Sequence, residues 1–261
     1  MEEEKTRKIC VASGKGGVGK SIITLNLGLS IARTGEEVII VDADIDMANL
    51  EMLLGMQGRP ITLQDVLKDE ANIEDAIYNI RGEEAKLVPA GISPTQFGRM
   101  DPDKLERITE KLAEKCTVLI LDAPAGVGKD TIACFNATDE TYLVVTPETL
   151  SAADASKTKK IAEKMGSEIK GVILNRVPEE RYGMNDKEIT TLLNAPIITK
   201  IKEEPEIRKA LTEEEAVINH LPESEFTQKI KELTKDIVGK ETHIREKEKG
   251  IMEKIKSIFG G

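Results

Sequence analysis

Gly14-Lys15-Gly16-Gly17-Val18-Gly19-Lys20-Ser21 follows the apolar run Ile9-Cys10-Val11-Ala12 and opens an apolar-periodic segment carrying Ile22, Ile23, Leu25, Leu27 and Leu29. Strand, glycine-rich turn and helix start, in that order, form the setting of a phosphate-binding loop; a glycine turn with incidental lysines would not need that context. Glycines let the backbone curl so that successive N–H groups converge on anionic oxygens, and a helix starting near Gly19 adds the positive end of its dipole. Lys20 is placed to bridge β- and γ-phosphates as a point charge, and the Ser21 hydroxyl is placed to ligate Mg²⁺.

Outward from the loop, Val38-Ile39-Ile40-Val41 is a continuous β-branched run of the kind found in a parallel strand buried on both faces. It ends in Asp42-Ala43-Asp44-Ile45-Asp46. Three acids in five residues would suit a solvated turn, but at the carboxyl end of a buried strand beside a phosphate loop they suit a magnesium and water site better. Thr117 to Leu121 repeats the pattern and ends in Asp122, where phosphate-loop enzymes hold magnesium.

The remaining periodicities predict short helical pieces over 50–55, 63–67 and 73–78, a short strand over 85–89 and a loop over 90–99. Pro102 begins a helix to 115 with Asp101 as its cap. Strands follow over 141–147, 169–174 and 196–201, and helices over 150–165, 187–193, 206–211 and 224–238. Gly126 and Gly128 give the loop after Asp122 freedom to rearrange.

At 261 residues and 39% hydrophobic the chain suits one large α/β domain over 1–240. A formal net charge of -10 argues against a surface that seeks nucleic acid. Cys10, Cys116 and Cys134 form no Cys-x-x-Cys pair, which fits a reducing cytosol and offers neither a disulfide framework nor a zinc site. The N-terminus has no apolar core of a signal peptide, and no run approaches the ~18 apolar residues of a membrane span.

The loop carries a second lysine, Lys15, inside its glycine run, and this spacing resembles the deviant phosphate loop of the MinD/ParA ATPases. The segment from Val41 to Glu51 resembles the first switch of MinD proteins, and Asp122-Ala123-Pro124-Ala125-Gly126 resembles their second. The resemblance implies a three-layer, doubly wound α/β fold with a mostly parallel sheet, a phosphate-loop NTPase of the SIMIBI type. It implies ATP and Mg²⁺ as cofactors and an ATP-sandwich homodimer in which Lys15 reaches the nucleotide of the other subunit. Gly14, Lys15, Gly16, Gly17, Val18, Gly19, Lys20, Ser21 and Ile22 would hold the phosphates, with Lys15, Lys20 and Asp44 catalytic. Asp44 would orient the attacking water, and Ser21, Asp42 and Asp122 would serve the metal. Asn49 would sense the nucleotide at the dimer face, the backbone of Gly126 would report the γ-phosphate, and Asn175 would read the adenine edge, unless it is an ordinary strand-end turn residue.

Two positions depart from the family. Ile22 stands where a Thr or Ser is frequent, so a hydroxyl contact to the α-phosphate is lost while the N–H remains. Ile201-Lys202-Glu203-Glu204-Pro205 stands where Ile-Pro-Glu-Asp is common, which puts the second adenine contact in doubt.

From 241 to 249 the chain is nearly all charged, the mark of a solvated linker. From 250 to 261, Ile251, Met252, Ile255, Ile258 and Phe259 share one arc of a helical wheel and lysines occupy the other. Such a stripe either docks on its own core or lies on a membrane; lysines suited to anionic lipid favour the second, and the ending resembles the membrane-targeting sequence of MinD proteins. Five side chains at about 1 kcal/mol each, less the cost of ordering a helix, give an anchor of a few kcal/mol. Two such tails on one dimer gain ~10²-fold or more in affinity, which would make membrane residence depend on ATP.

The resemblance therefore implies an ATPase that couples ATP-dependent dimerisation and hydrolysis to reversible association with lipid, in cell-division site selection or spatial positioning. It would be cytoplasmic, peripheral on the inner face of the cell membrane, answerable to an unidentified protein effector or activator, and slow without one. Three rivals share parts of the pattern. A ParA-type DNA-partitioning ATPase needs a basic surface. An iron–sulfur carrier resembling Mrp needs cysteines at the dimer axis, and 89–98 contains none while Cys134 lies far beyond Asp122 without a partner. A binding switch with negligible turnover shares every motif.

Overall fold

The computed structural model describes residues 5–91, 101–180, 182–240 and 242. Its chain runs β1 (Arg7–Ala12), α1 (Lys20–Ala32), β2 (Val38–Asp42), α2 (Leu50–Leu53), α3 (Leu63–Leu67), β3 (Tyr78–Asn79), β4 (Lys86–Val88), α4 (Pro102–Ala113), β5 (Val118–Asp122), α5 (Lys129–Asn136), β6 (Glu140–Val145), α6 (Thr149–Lys164), β7 (Glu168–Val177), α7 (Asp186–Leu193), β8 (Ile197–Lys202), α8 (Ile207–Thr212), α9 (Val217–His220) and α10 (Glu225–Val238). The eight strands form one sheet in the order β3-β4-β2-β5-β1-β6-β7-β8, parallel throughout except for β3 against β4.

Both faces of this sheet are covered, which explains the continuous apolar runs of its central strands, over 9–12, 38–41 and 118–121. Alternation along β1 splits the core in two. Cys10 and Ala12 face the layer that holds Leu105 of α4, Phe135 of α5, Ala155 of α6 and Ile189 of α7. Ile9 and Val11 face Ile23 and Leu27 of α1, Val217 of α9, and Phe226 and Ile230 of α10. Gly28 marks the closest approach of α1, since a Cβ there would sit 2.5 Å from the Ile40 side chain.

The strand order creates the site. β5 inserts between β2 and β1, and its register sets Asp122 opposite Asp42. β6 lies on the other side of β1. The loop after β1 therefore opens at the switch point of the doubly wound sheet, where ligands bind outside the carboxyl ends of strands.

Four local features differ from the expected elements or add to them. Residues 73–78 do not form one helical piece: a 3₁₀ turn spans Ile73–Ala76, and Tyr78 instead enters β3, its hydroxyl donating to Ile61 O at 2.9 Å. α5 starts directly after Gly128, where the sequence predicts no element. α9 is an unforeseen single turn, tied to α1 by Ile218 N–H donating to Asn26 Oδ1 at 2.8 Å. β7 continues past Leu174 through Asn175, with Arg176 at φ 53°. Most of the 90–99 loop, all of the 241–249 linker but Thr242, and the helix expected over 250–261 with Ile251, Met252, Ile255, Ile258 and Phe259 lie outside the described residues. Among those described, no helix is long and apolar enough to cross a membrane.

Candidate nucleotide and metal site

Two loop glycines are imposed by geometry. Gly19 sits at φ 91°, in the left-handed region, and a Cβ there would lie 2.4 Å from Asn175 Nδ2. At Gly14 a Cβ would lie 2.3 Å from the backbone of Asp154 and Ala155, so the loop can nest against α6 only without a side chain. Gly19 caps α1 with no side-chain hydrogen bond, and the first backbone bond into the helix is Ile23 N–H to Gly19 O at 3.1 Å. The helix thus presents its first-turn N–H groups and dipole to an anion.

Lys20 is 6% exposed, and its Nζ lies 2.9 Å from Asp122 Oδ1. Burial alone would lower the ammonium's pKa, but the charges of Asp122, Asp42 and Asp44 outweigh it and raise the value, so the cation persists. Asp122 Oδ1 also accepts from the Thr24 hydroxyl at 2.7 Å, whereas Asp122 Oδ2 is buried with no hydrogen-bond partner among the described residues. Orphaned buried carboxylate oxygens are costly, and this one is a ready ligand position. With the Ser21 hydroxyl, 3.4 Å from Lys20 Nζ, it offers the hard oxygen donors that Mg²⁺ takes. Ser21 and Asp122 are the residues that would hold the ion, which would neutralise phosphate charge when bound.

Asp42 is fully buried. Its Oδ1 accepts from Asp44 N–H at 3.1 Å, and its Oδ2 accepts from Asn49 N–H at 2.9 Å and Leu50 N–H at 3.0 Å. One carboxylate thereby folds the whole 44–50 segment around itself. Burial, and then the charge of Asp122, pushes its pKa up to about 7. Asp44 reaches the half-exposed rim, its Oδ1 accepting from Met47 N–H at 3.2 Å, and burial raises its pKa as well.

Lys15 pairs with the Glu148 carboxylate, directly before α6. Gly126, at φ 89°, donates its N–H to Ser13 O at 2.8 Å, which ties the segment after β5 to the phosphate loop. Asn175 is 7% exposed and donates from Nδ2 to Val18 O at 2.7 Å, so its amide nitrogen braces the loop from behind. Val18 is buried, Gly16 and Gly17 are exposed, and Ile22 packs partly against the core.

Three residues escaped the sequence reading. Thr24 stands four residues after Lys20 and so shares its helix face, a spacing that could have signalled it. Glu148 follows Thr146-Pro147 at the end of the strand beside β1, but nothing in sequence pairs it with Lys15. Thr146 Oγ1 is buried without a partner among the described residues, just past β6 and next in register to the Asn175 end of β7.

Comparison with known proteins agrees with this geometry. Residues 4–238 match the ParA family model, described as NUBPL iron-transfer P-loop NTPase. An uncharacterised ATP-binding protein of Methanocaldococcus jannaschii is 40% identical over 256 residues, covering 97% of this chain and 96% of that protein. The structure of the septum site-determining protein MinD complexed with Mg-ADP from Pyrococcus horikoshii superposes with a TM-score of 0.84 at 32% identity, covering 89% of this chain and 96% of that one. MinD in the MinC:MinD cell division complex of Aquifex aeolicus gives a TM-score of 0.81 at 27% identity, covering 92% and 99%. With a deviant phosphate loop, two strand-end aspartates in register across the sheet and relatives aligned nearly end to end, the chain belongs to the ParA/MinD family of phosphate-loop ATPases.

Proposed function

We propose that this chain is a MinD-type, Mg²⁺-dependent ATPase that closes on ATP into a homodimer and in that form holds a membrane surface through its 250–261 helix. The observation that carries the reading is the rim of the phosphate loop. Lys15 lies there on Glu148, in the company of three exposed apolar side chains: Met47 (70% exposed) in the segment after β2, Val127 (42%) after β5 and Leu150 (74%) at the start of α6. Exposed apolar residues on three of the segments that follow the carboxyl ends of the strands beside a charged loop suit a face that a second copy covers.

In this reading the loop amides and Lys20 bind and neutralise the triphosphate, and Asp44 places water in line with the γ-phosphate. Phosphoryl transfer asks for positioning and charge neutralisation more than for a strong base. Lys15 leaves Glu148 to reach the nucleotide of the second copy, and loss of the γ-phosphate relaxes the Gly126 segment and parts the dimer. Release of two paired tails would then end membrane residence. The task is cell-division site selection or placement of other machinery at the cytoplasmic face of the cell membrane, with a protein effector that speeds turnover.

The iron–sulfur and DNA-partitioning rivals draw no comparable support. All three cysteines are buried, and burial pushes the Cys10 and Cys116 thiols up to about 12 and that of Cys134 well up, so none offers a surface thiolate to an iron–sulfur cluster. The net charge of -10 opposes DNA.

Light scattering with ATP and Mg²⁺ on the Asp44→Ala variant tests the core of the proposal. A doubled mass that Lys15→Ala abolishes, with nucleotide binding retained, is the expected result; a single-chain mass in saturating nucleotide refutes it. Sedimentation with anionic liposomes should require both ATP and residues 250–261, and equal sedimentation of a chain ending at 249 removes the anchor.

A further inference from the structure

Away from the phosphate loop, among the described residues, Glu213, Glu215 and His220 bring one ligand atom each to within 4.8 Å of one another. α8 ends at Thr212, and Glu214 then takes φ 53°, turning the chain so that Glu213 and Glu215 converge while the Glu214 carboxylate departs to accept from Gln57 Nε2 at 3.2 Å. α9 returns His220 to the same point. That turn is fixed from below by Ile218 N–H on Asn26 Oδ1 and by Asn219 Nδ2 donating to Glu83 Oε1 at 2.9 Å, so the imidazole is held before any ion arrives.

The spacing of the donors selects the chemistry. His220 Nδ1 lies 3.3 Å from Glu213 Oε2 and 3.1 Å from Glu215 Oε2. A tetrahedral ion with bonds of about 2.0–2.2 Å to nitrogen and oxygen separates neighbouring ligands by roughly 3.3–3.5 Å, so His220 already stands close to that spacing from each carboxylate, with all three donor atoms within 4.8 Å of one another. An imidazole among the ligands disfavours Mg²⁺ and Ca²⁺, which take oxygen, and favours zinc, cobalt or nickel. The imidazole side chain is 16% exposed and the carboxylates 49% and 38%, which gives an ion a way in from one side and leaves a fourth position for water.

We propose that Glu213, Glu215 and His220 bind a divalent transition-metal ion of the zinc class that clamps the α8–α9 corner onto α1. This site is chemically separate from the all-oxygen site at Ser21 and Asp122, and it does not depend on the function proposed above.

The test titrates Zn²⁺ and Co²⁺ into the full chain, kept saturated with Mg²⁺ and ADP so that the phosphate site is occupied, by calorimetry and by cobalt absorption. A single ion per chain is expected, with the tetrahedral visible bands of Co²⁺ and a rise in thermal midpoint. His220→Ala should weaken binding by more than the ~10–100-fold lost with a merely supporting contact, while Glu214→Gln leaves it unchanged. Glu213→Gln, at a half-exposed position, gives the same answer should the histidine variant fail to fold. Zinc affinity equal in wild type, His220→Ala and Glu213→Gln overturns the proposal, as does a wild-type protein whose thermal midpoint and cobalt spectrum ignore the metal; both leave only a histidine bridging two carboxylates.

Discussion

The two ends of α1 handle buried polarity in opposite ways. At its start, Lys20, Asp42 and Asp122 crowd together, and Asp122 Oδ2 and Thr146 Oγ1 lack hydrogen-bond partners. At its end, Arg33 bonds Glu83 at 2.7 Å and also Asn219, while Ser30 accepts from the Thr234 hydroxyl at 2.7 Å and lies 3.0 Å from Thr242 Oγ1. All four orphaned buried atoms among the described residues, including Glu51 Oε1 and Arg59 Nε, lie at the carboxyl ends of strands or in the segments that follow them. One pole is closed by its own side chains; the other is left incomplete in the way a ligand would complete.

Removing the central cation of each pole breaks the comparison if both variants behave alike. Lys20→Ala strips the counter-charge from two buried carboxylates and, in the proposed function, the contact to the phosphates. Turnover should fall ~10²–10³-fold or more, measured as phosphate release with ATP and Mg²⁺. Arg33→Met should leave turnover of the folded protein within about twofold yet cost ~3 kcal/mol in urea unfolding, the penalty for breaking a buried pair. A drop in turnover for Arg33→Met comparable to that of Lys20→Ala would show that the basal pole is part of the site.

Acidity gives the poles opposite signs. Asp42 keeps its proton in the folded state up to about 7 but loses it near the ordinary 3.8 when unfolded, so its contribution is present in acid and is lost as pH rises between those values. Glu36, at the base, is lowered by hydrogen bonds from Lys240 and Thr117, so its contribution is present above its ordinary 4.5 and is lost as pH falls through the folded value. Urea midpoints in chelator should therefore carry a falling component toward neutrality that Asp42→Asn, or Mg²⁺ with ADP, removes. An unchanged slope in both cases contradicts the assignment.

Thr24→Val sharpens the contrast at finer scale. Its hydroxyl gives Asp122 Oδ1 one of its two bonds, and its loss should cost about 1–2 kcal/mol in the ligand-free protein. Mg²⁺ with nucleotide should recover part of that loss, since the ion would neutralise the same carboxylate. Equal losses with and without ligand would make Thr24 an ordinary core residue.

Much of the open pole could be read in sequence because its chemistry is local. Ile9 to Ser21 gives strand, turn and helix in one stretch, and Asp42 and Asp122 each end a continuous apolar run. What joins them is not local. That β5 inserts between β2 and β1, setting Asp42 opposite Asp122, follows from how two helical layers pack, and no spacing within either strand encodes it. Nor does spacing reveal that Asn175 braces Val18 or that Lys15 rests on Glu148, because the partners lie 157 and 133 residues apart. α5 was hidden for another reason: eight residues after Gly126 and Gly128, with Thr131 and Cys134 among them, offer little periodicity beside two strong turn signals. Tyr78 shows the ambiguity of short apolar runs, where the 3.6 and 2.0 periods cannot be told apart.

The smallest effect expected is at the basal rim, and its smallness is informative. Lys240 pairs with Glu36 where its own side chain is 55% exposed, and Glu36 retains the Thr117 hydroxyl at 2.6 Å when the lysine is removed. An exposed ammonium gains little from such a pair and loses rotamer freedom in making it, so Lys240→Ala should move the urea midpoint by no more than the equivalent of ~0.5 kcal/mol. The described chain ends just beyond, at Thr242, so this residue also stands at the root of the proposed anchor. If nucleotide state reaches the lipid by pairing two tails, rather than by a strain passed down α1, ATP-dependent liposome sedimentation of Lys240→Ala should match wild type. A variant that folds normally but no longer needs ATP to sediment would mean that the closed pole restrains the tail, and that the two ends of α1 are coupled after all.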